Sequence, residues 1–307
     1  MAARFRRLTV ELRAALHASA RVKGFGMAGD SFRFEGGDGT KLFAYRWLPS
    51  RPLRGVLQIG HGMGEHALRY REPLQPLIDA GIAIYANDHR GHGRTSPDAL
   101  GDFGPGGFAA LVDDMAVLTR RIRDEHPGKK RVLMGHSMGS FAAQIYILDH
   151  SELIDGYVLS GSAALDKLQA PKGGLSAIGA GMAATRTPFD WLSRDEAEVD
   201  KYIADPLCGF TVDDAGRASM FAAAAPALDS ARLARIRKDL PVYVFAGDKD
   251  PINADLAALL PLVERYRAQG LDVATDFYPG GRHEMLNEIN RTEVVAKLQA
   301  WIERVIA

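Results

Sequence analysis

The chain is 307 residues long, with 38 Lys plus Arg against 38 Asp plus Glu, a pI near 7.1 and one cysteine. Such a neutral chain presents no basic field to a phosphate backbone, which excludes nucleic acid as the expected partner, and a lone Cys208 cannot close an intrachain disulfide. The longest run free of Asp, Glu, Lys and Arg, Val132 to Leu148, is interrupted by His136, Ser137, Ser140 and Gln144. That argues against a membrane span, and a cytoplasmic protein is expected.

Residues 1–30 form a basic arm, the first 26 of which carry Arg4, Arg6, Arg7, Arg13, Arg21 and Lys23 against the single acid Glu11. Phe5, Leu8, Leu12 and Leu16 fall at helical spacing, so a transit segment or a membrane-surface arm is one reading. The other is an upstream extension of a protein that could equally start at Met27. From Phe32 to Trp47, two runs flanking Gly36, Gly37, Asp38 and Gly39 predict a β-hairpin.

Strand and helix then alternate. Apolar β-rich runs at 55–59, 82–86, 132–134, 156–159, 242–246 and 273–278 predict strands, and amphipathic runs at 108–125, 255–269 and 285–306 predict helices. Strands separated by helices imply a mostly parallel sheet covered on both faces. Between 161 and 231 the alternation stops, and an Ala- and Gly-rich stretch punctuated by Pro171, Pro188 and Pro206 predicts a helical insertion, read as a cap over a pocket. The core is then 31–160 together with 232–307.

Gly135-His136-Ser137-Met138-Gly139 spells G-x-S-x-G between a predicted strand and a helical run at 140–149. Its glycines permit a sharp turn that lifts the Ser137 hydroxyl above the sheet, beside a helix N-terminus that stabilises developing negative charge. A serine nucleophile needs a base, and the base an acid, which follow it in that sheet topology in the order acid, then histidine. His283 is the one histidine after His150, so it is the candidate base.

The loop after the 242–246 strand offers Asp248 and Asp250 as the acid. Asp250 is preferred because it lies deeper in the loop with Pro251 fixing the backbone after it, and Asp248 is then a turn residue. Two backbone amides must face a developing oxyanion, and the candidates are Met138, next to the nucleophile, and Met63 in the glycine-containing loop His61-Gly62-Met63-Gly64-Glu65-His66. His61 and His66 have no third ligand at a zinc-like spacing and are read as structural hydrogen-bonding residues.

Asp88-His89-Arg90-Gly91-His92-Gly93 is read as a structured turn without a catalytic part, and Cys208 as a small buried residue with no base beside it. No nucleotide-binding motif stands after a strand, so no cofactor is expected.

The motifs HGMGEH from His61, DHRGHGRTS from Asp88, GHSMGS from Gly135, SRDEAEVDKYIADPLC from Ser193, GDKDPIN from Gly247 and GGRHEMLNE from Gly280 follow one another in order. In them the chain resembles the monoacylglycerol lipase and lysophospholipase branch of the α/β-hydrolases, from about residue 31 to the C-terminus. The resemblance implies an eight-stranded α/β-hydrolase fold with a helical cap. It also implies Ser137, Asp250 and His283 as the triad, Met63 and Met138 as oxyanion donors, and polar groups at Glu65 and Arg69 that hold a glycerol head. The chain departs from the mammalian pattern at Leu286, where a second histidine would stand, so the alcohol is left open.

The expected function is acyl-ester hydrolysis through an acyl-enzyme on a single-chain lipid ester. Peripheral membrane contact through the cap or the arm would accompany it. Small-ester esterase, carbon-carbon hydrolase, peptidase and non-catalytic binding are the alternatives on the same scaffold.

Overall fold

The computed structural model describes residues 30–168, 174–182 and 185–307; the basic arm, apart from Asp30, lies outside them. Eight strands form one sheet in the order β1-β2-β4-β3-β5-β6-β7-β8. They are β1 (Asp30–Glu35), β2 (Lys41–Trp47), β3 (Gly55–Gly60), β4 (Ile82–Asn87), β5 (Arg131–His136), β6 (Gly156–Ser160), β7 (Val242–Gly247) and β8 (Val273–Tyr278). The β1–β2 hairpin is antiparallel and pairs antiparallel with β4, and every other pairing is parallel.

The central strands β3, β4, β6 and β7 are buried at every position, as their continuous apolar runs require of strands covered on both faces. At the edge, β1 buries only Phe34 fully. The helices are α1 (Gln75–Asp79), α2 (Gly107–Glu125), α3 (Met138–His150), α4 (Glu196–Ala204), α5 (Asp214–Ala224), α6 (Ser230–Ala234), α7 (Leu260–Ala268) and α8 (Arg291–Ile306). One face of the sheet carries a core built with α2, α3 and α7, including Met115, Phe141, Tyr146, Leu159 and Leu262. The opposite face packs Leu298, Trp301 and Ile302 of α8 against Val132, Met134 and Tyr243.

Two predicted helices are shorter than expected. The run from Asp255 is not helical until Leu260, because Ala254, Asp255 and Leu256 take positive φ values of 52°, 52° and 71°. This turn is pinned by Asn253, whose side chain donates to the Gly247 carbonyl at 2.8 Å and accepts from the Leu256 amide at 2.9 Å. The run from Met285 opens as one 3-10 turn, and α8 begins only at Arg291. The interruption is Glu288, fully buried, whose carboxylate accepts from the amides of Arg194, Arg282 and Ile289 and from the Arg194 guanidinium.

Between β6 and β7 the described residues contain short helices and no strand. Leu175, Trp191, Leu192 and Tyr202 of this segment form a separate apolar cluster, against which Met63 and Ile252 of the sheet-edge loops pack. The loops following β3, β4, β5, β7 and β8 lie at the carboxyl edge of the sheet, and they carry the sequence motifs other than the one from Ser193.

Candidate active site

Ser137 sits between β5 and α3 with φ 50° and ψ −122°, a left-handed conformation that turns the chain from strand into helix in one residue. Its amide donates to the Ser160 carbonyl at 3.0 Å, and its carbonyl accepts from the Ser140 amide and hydroxyl at 2.8 and 2.6 Å. Gly139 is required here because a Cβ would collide with the Gly60 carbonyl, where the loop after β3 crosses the helix start. Met138 is the first residue of α3, whose opening amides have no partner within the helix.

His283 is buried and its Nδ1 donates to Oδ2 of Asp250 at 2.8 Å, leaving Nε2 as the other ring nitrogen. The rings of Trp191 and His136 flank the imidazole, with centroids 4.9 and 4.8 Å away. Asp250, itself buried, fixes its other oxygen on the Ile252 amide at 2.9 Å. Asp248 points elsewhere, accepting from the Gly280 amide at 2.7 Å and so tying the acid loop to the loop that carries His283. Burial opposes a charge on His283, but Asp250, Glu284 and Glu65 together outweigh it, and the imidazole pKa is held above its ordinary value.

The loop after β3 is fixed on both sides of Met63. The Gly62 amide donates to Glu65 Oε1 at 2.5 Å, and the Gly62 carbonyl accepts from His61 Nδ1 at 2.8 Å. The Gly64 amide reaches His92 Nε2 at 3.3 Å, and the Gly64 carbonyl accepts from the Gly209 amide at 2.9 Å. His61 Nε2 in turn accepts from the His89 amide at 2.9 Å, so His61 must be neutral with its proton on Nδ1. Burial, reinforced by His92, pushes its pKa well down and supports that state. His92 is also buried and held down to about 4 by desolvation.

Glu65 and Arg69 belong to a buried polar network. Oε1 of Glu65 also accepts from the Tyr70 hydroxyl at 2.7 Å, and Oε2 accepts from Arg69 at 2.7 Å. Arg69 then spans to Glu284 through two bonds of 2.6 and 2.7 Å. The guanidinium thus joins the loop holding Met63 to the loop holding His283. Burial works against the Arg69 charge, and the two carboxylates more than restore it.

One cavity brings these groups together. Ser137, His283, Met63, Met138, Glu65, Glu284 and His136 lie on its wall with Leu175, Ile178, Trp191 and Leu192, whereas Arg69 stands behind Glu65 and Glu284. Met182 and Phe189, two further apolar residues of the insertion, pack against the Leu175–Tyr202 cluster without lining the cavity.

Sequence reasoning missed several contributors. His92, read as part of a turn without a catalytic part, supports the Met63 loop. Glu284, adjacent to His283, shares the cavity wall and the Arg69 ion pair. Cys208 is half-buried, and it is not isolated: its thiol, Asp205 and His66 converge with ligand atoms within 4.8 Å of one another, supplying the partners that spacing alone did not offer His66.

The strand-to-helix serine, the acid-held histidine after the last strand and the eight-stranded, mostly parallel sheet define an α/β-hydrolase. The chain belongs to the serine aminopeptidase S33 family, whose model matches residues 51–290. It is similar to the monoacylglycerol lipase of Mycolicibacterium smegmatis, 31% identical over 277 residues that cover 88% of this chain and 95% of that protein. Mouse monoglyceride lipase is 28% identical over 281 residues, covering 88% and 89%. Among solved structures, a thermostable carboxyl esterase from Bacillus coagulans in complex with glycerol superposes with a TM-score of 0.81 at 27% identity, covering 92% and 100% of the two chains. The chain is a serine hydrolase. No helix of the described residues is long and apolar enough to cross a membrane.

Proposed function

We propose that the chain hydrolyses single-chain lipid esters of the monoacylglycerol or lysophospholipid kind through an acyl-enzyme. Ser137 Oγ attacks the ester carbonyl carbon while His283 Nε2 takes its proton, and Asp250 holds the imidazole and stabilises the imidazolium that results. The amides of Met63 and Met138 receive the oxyanion. On collapse, the acyl C–O bond breaks and the alcohol leaves with the proton from His283; water then attacks the acyl-enzyme by the same path in reverse.

The observation that carries this reading is the 2.8 Å bond from Asp250 to a buried His283 on the wall of the cavity that Ser137 also lines. In this reading, residues 161–231 act as the cap and its apolar residues take the acyl chain, with peripheral contact at a lipid surface through the same segment. The polar end of the wall, Glu65 and Glu284, faces the alcohol, and Arg69 fixes both carboxylates. The similarity to monoacylglycerol lipases supports the substrate class.

A panel of monoacylglycerols and aryl esters of increasing chain length, with triolein and aminoacyl amides alongside, tests it. Each buried methylene contributes roughly 0.8 kcal/mol, so kcat/KM should climb with chain length until the cavity is full and fall for triolein. Preference for acetate over every longer chain would make the protein a small-ester esterase, and amide cleavage without ester turnover would make it a peptidase.

A further inference from the structure

The folding of the chain places His66, Asp205 and Cys208 around one point, with an imidazole nitrogen, a carboxylate oxygen and the thiol sulfur all within 4.8 Å of one another. His66 directly follows Glu65, the residue that holds the Gly62 amide, and is buried, whereas Asp205 and Cys208 come from the turn that ends α4 in the segment between β6 and β7. His66 Nε2 and Asp205 Oδ2 already lie 2.9 Å apart. The other Asp205 oxygen is occupied by the Leu207 amide at 2.8 Å, and the Cys208 amide donates to the Asp205 carbonyl at 3.0 Å, so the turn presenting the carboxylate and the thiol is itself held. Asp205 and Cys208 are half-buried rather than enclosed, which leaves a small ion a path from solvent. The nearby cation, Arg69, is balanced by two carboxylates, Glu65 and Glu284.

From this juxtaposition we propose that His66, Asp205 and Cys208 form a binding site for a zinc ion that staples the inserted segment to the Met63 loop and thereby slows the hydrolase. A mixed nitrogen, oxygen and sulfur set is the donor chemistry of a borderline-soft ion such as zinc. Bonds of about 2.0 to 2.3 Å to a tetrahedral ion leave ligand atoms roughly 3.2 to 3.8 Å apart, so a modest contraction of the cluster completes three sides, and water takes the fourth. On binding, the Cys208 S–H bond gives way to a sulfur–metal bond and the proton passes to solvent, while His66 binds as the neutral imidazole. Because His66 adjoins Glu65, fixing it to Asp205 and Cys208 restrains both the loop carrying Met63 and the segment over the cavity.

Cobalt(II), a spectroscopic stand-in for zinc, tests the site on the full chain without reference to turnover. Titration of the wild type should produce a near-ultraviolet thiolate-to-cobalt charge-transfer band that zinc displaces. Cys208→Ser should abolish the band, and Asp205→Asn, which keeps the thiol, should weaken cobalt and zinc binding by about tenfold or more. Zinc should raise the wild-type melting temperature, lower its ester turnover and be reversed by a chelator. Absence of the band in the wild type, or zinc affinity unchanged in both variants, overturns the site. Undiminished zinc inhibition of Cys208→Ser would place the inhibitory ion elsewhere and overturn the staple.

Discussion

A non-glycine residue held at φ 50° costs roughly 1–3 kcal/mol, and Ser137 is held in that conformation by its backbone bonds to Ser160 and Ser140, beside a Gly139 that lets Gly60 approach. The same economy separates the two candidate acids. Asp250 meets the imidazole, and Asp248 meets a backbone amide. Asp250→Asn should therefore lower kcat by about 10³- to 10⁴-fold, and Asp248→Asn should cost far less, because it loosens a loop without changing the tautomer of His283. Steady-state kinetics on the two variants side by side checks this; a crippled Asp248 variant beside an active Asp250 variant reverses the assignment.

The pH profile follows from the same pair. In the proposed mechanism, His283 below its pKa is an imidazolium that cannot accept the serine proton, so activity should be lost as pH falls. Because Asp250, with Glu284 and Glu65, outweighs burial and raises that pKa, the rise of kcat/KM should be centred above the ordinary 6.5 of histidine. In Asp250→Asn, with burial left unopposed by that carboxylate, the limb should move to lower pH. A limb that stays in place in that variant would mean that another group titrates.

At the scale of elements, the site depends on ties between loops distant in the chain. Arg69 bridges to Glu284 across 215 positions, and His66 meets Asp205 across 139. Neither tie is legible in the sequence, since no local period marks which buried charges will face one another. What is legible has a local cause: Met134 to Ser140 reads as strand, turn and helix because apolar run, glycine spacing and Ser137 fall within a few residues. That Asp250 rather than Asp248 meets His283 is legible because chain order and Pro251 narrow the choice. The late starts of α7 and α8 are not, because Asn253 and buried Glu288 stop the helices through bonds to Gly247, Arg194 and Arg282.

Arg69→Met should leave Glu65 and Glu284 buried beside one another without their cation, destabilising the fold by about 3–5 kcal/mol. Urea denaturation measures this. If Arg69 instead reached the alcohol directly, KM would rise while the denaturation midpoint stayed where it was.

At the scale of the molecule, a charge-balanced chain builds a sheet covered on both faces and gathers its chemistry at one edge of it. The mostly parallel character of the sheet is readable from the alternation of buried runs and amphipathic helices, whereas the order of its strands is not. The cavity is not, because its wall joins Met63 and Glu65 after β3, Ser137 after β5 and His283 after β8 to Leu175 and Trp191 of the inserted segment. The most direct measurement of the whole arrangement is labelling with a fluorophosphonate probe, read by intact mass and peptide mapping on the wild type and on Ser137→Ala. One adduct per chain on the Ser137 peptide, lost in Ser137→Ala together with ester turnover, is the expected result; an adduct on another serine with undiminished turnover in Ser137→Ala contradicts it.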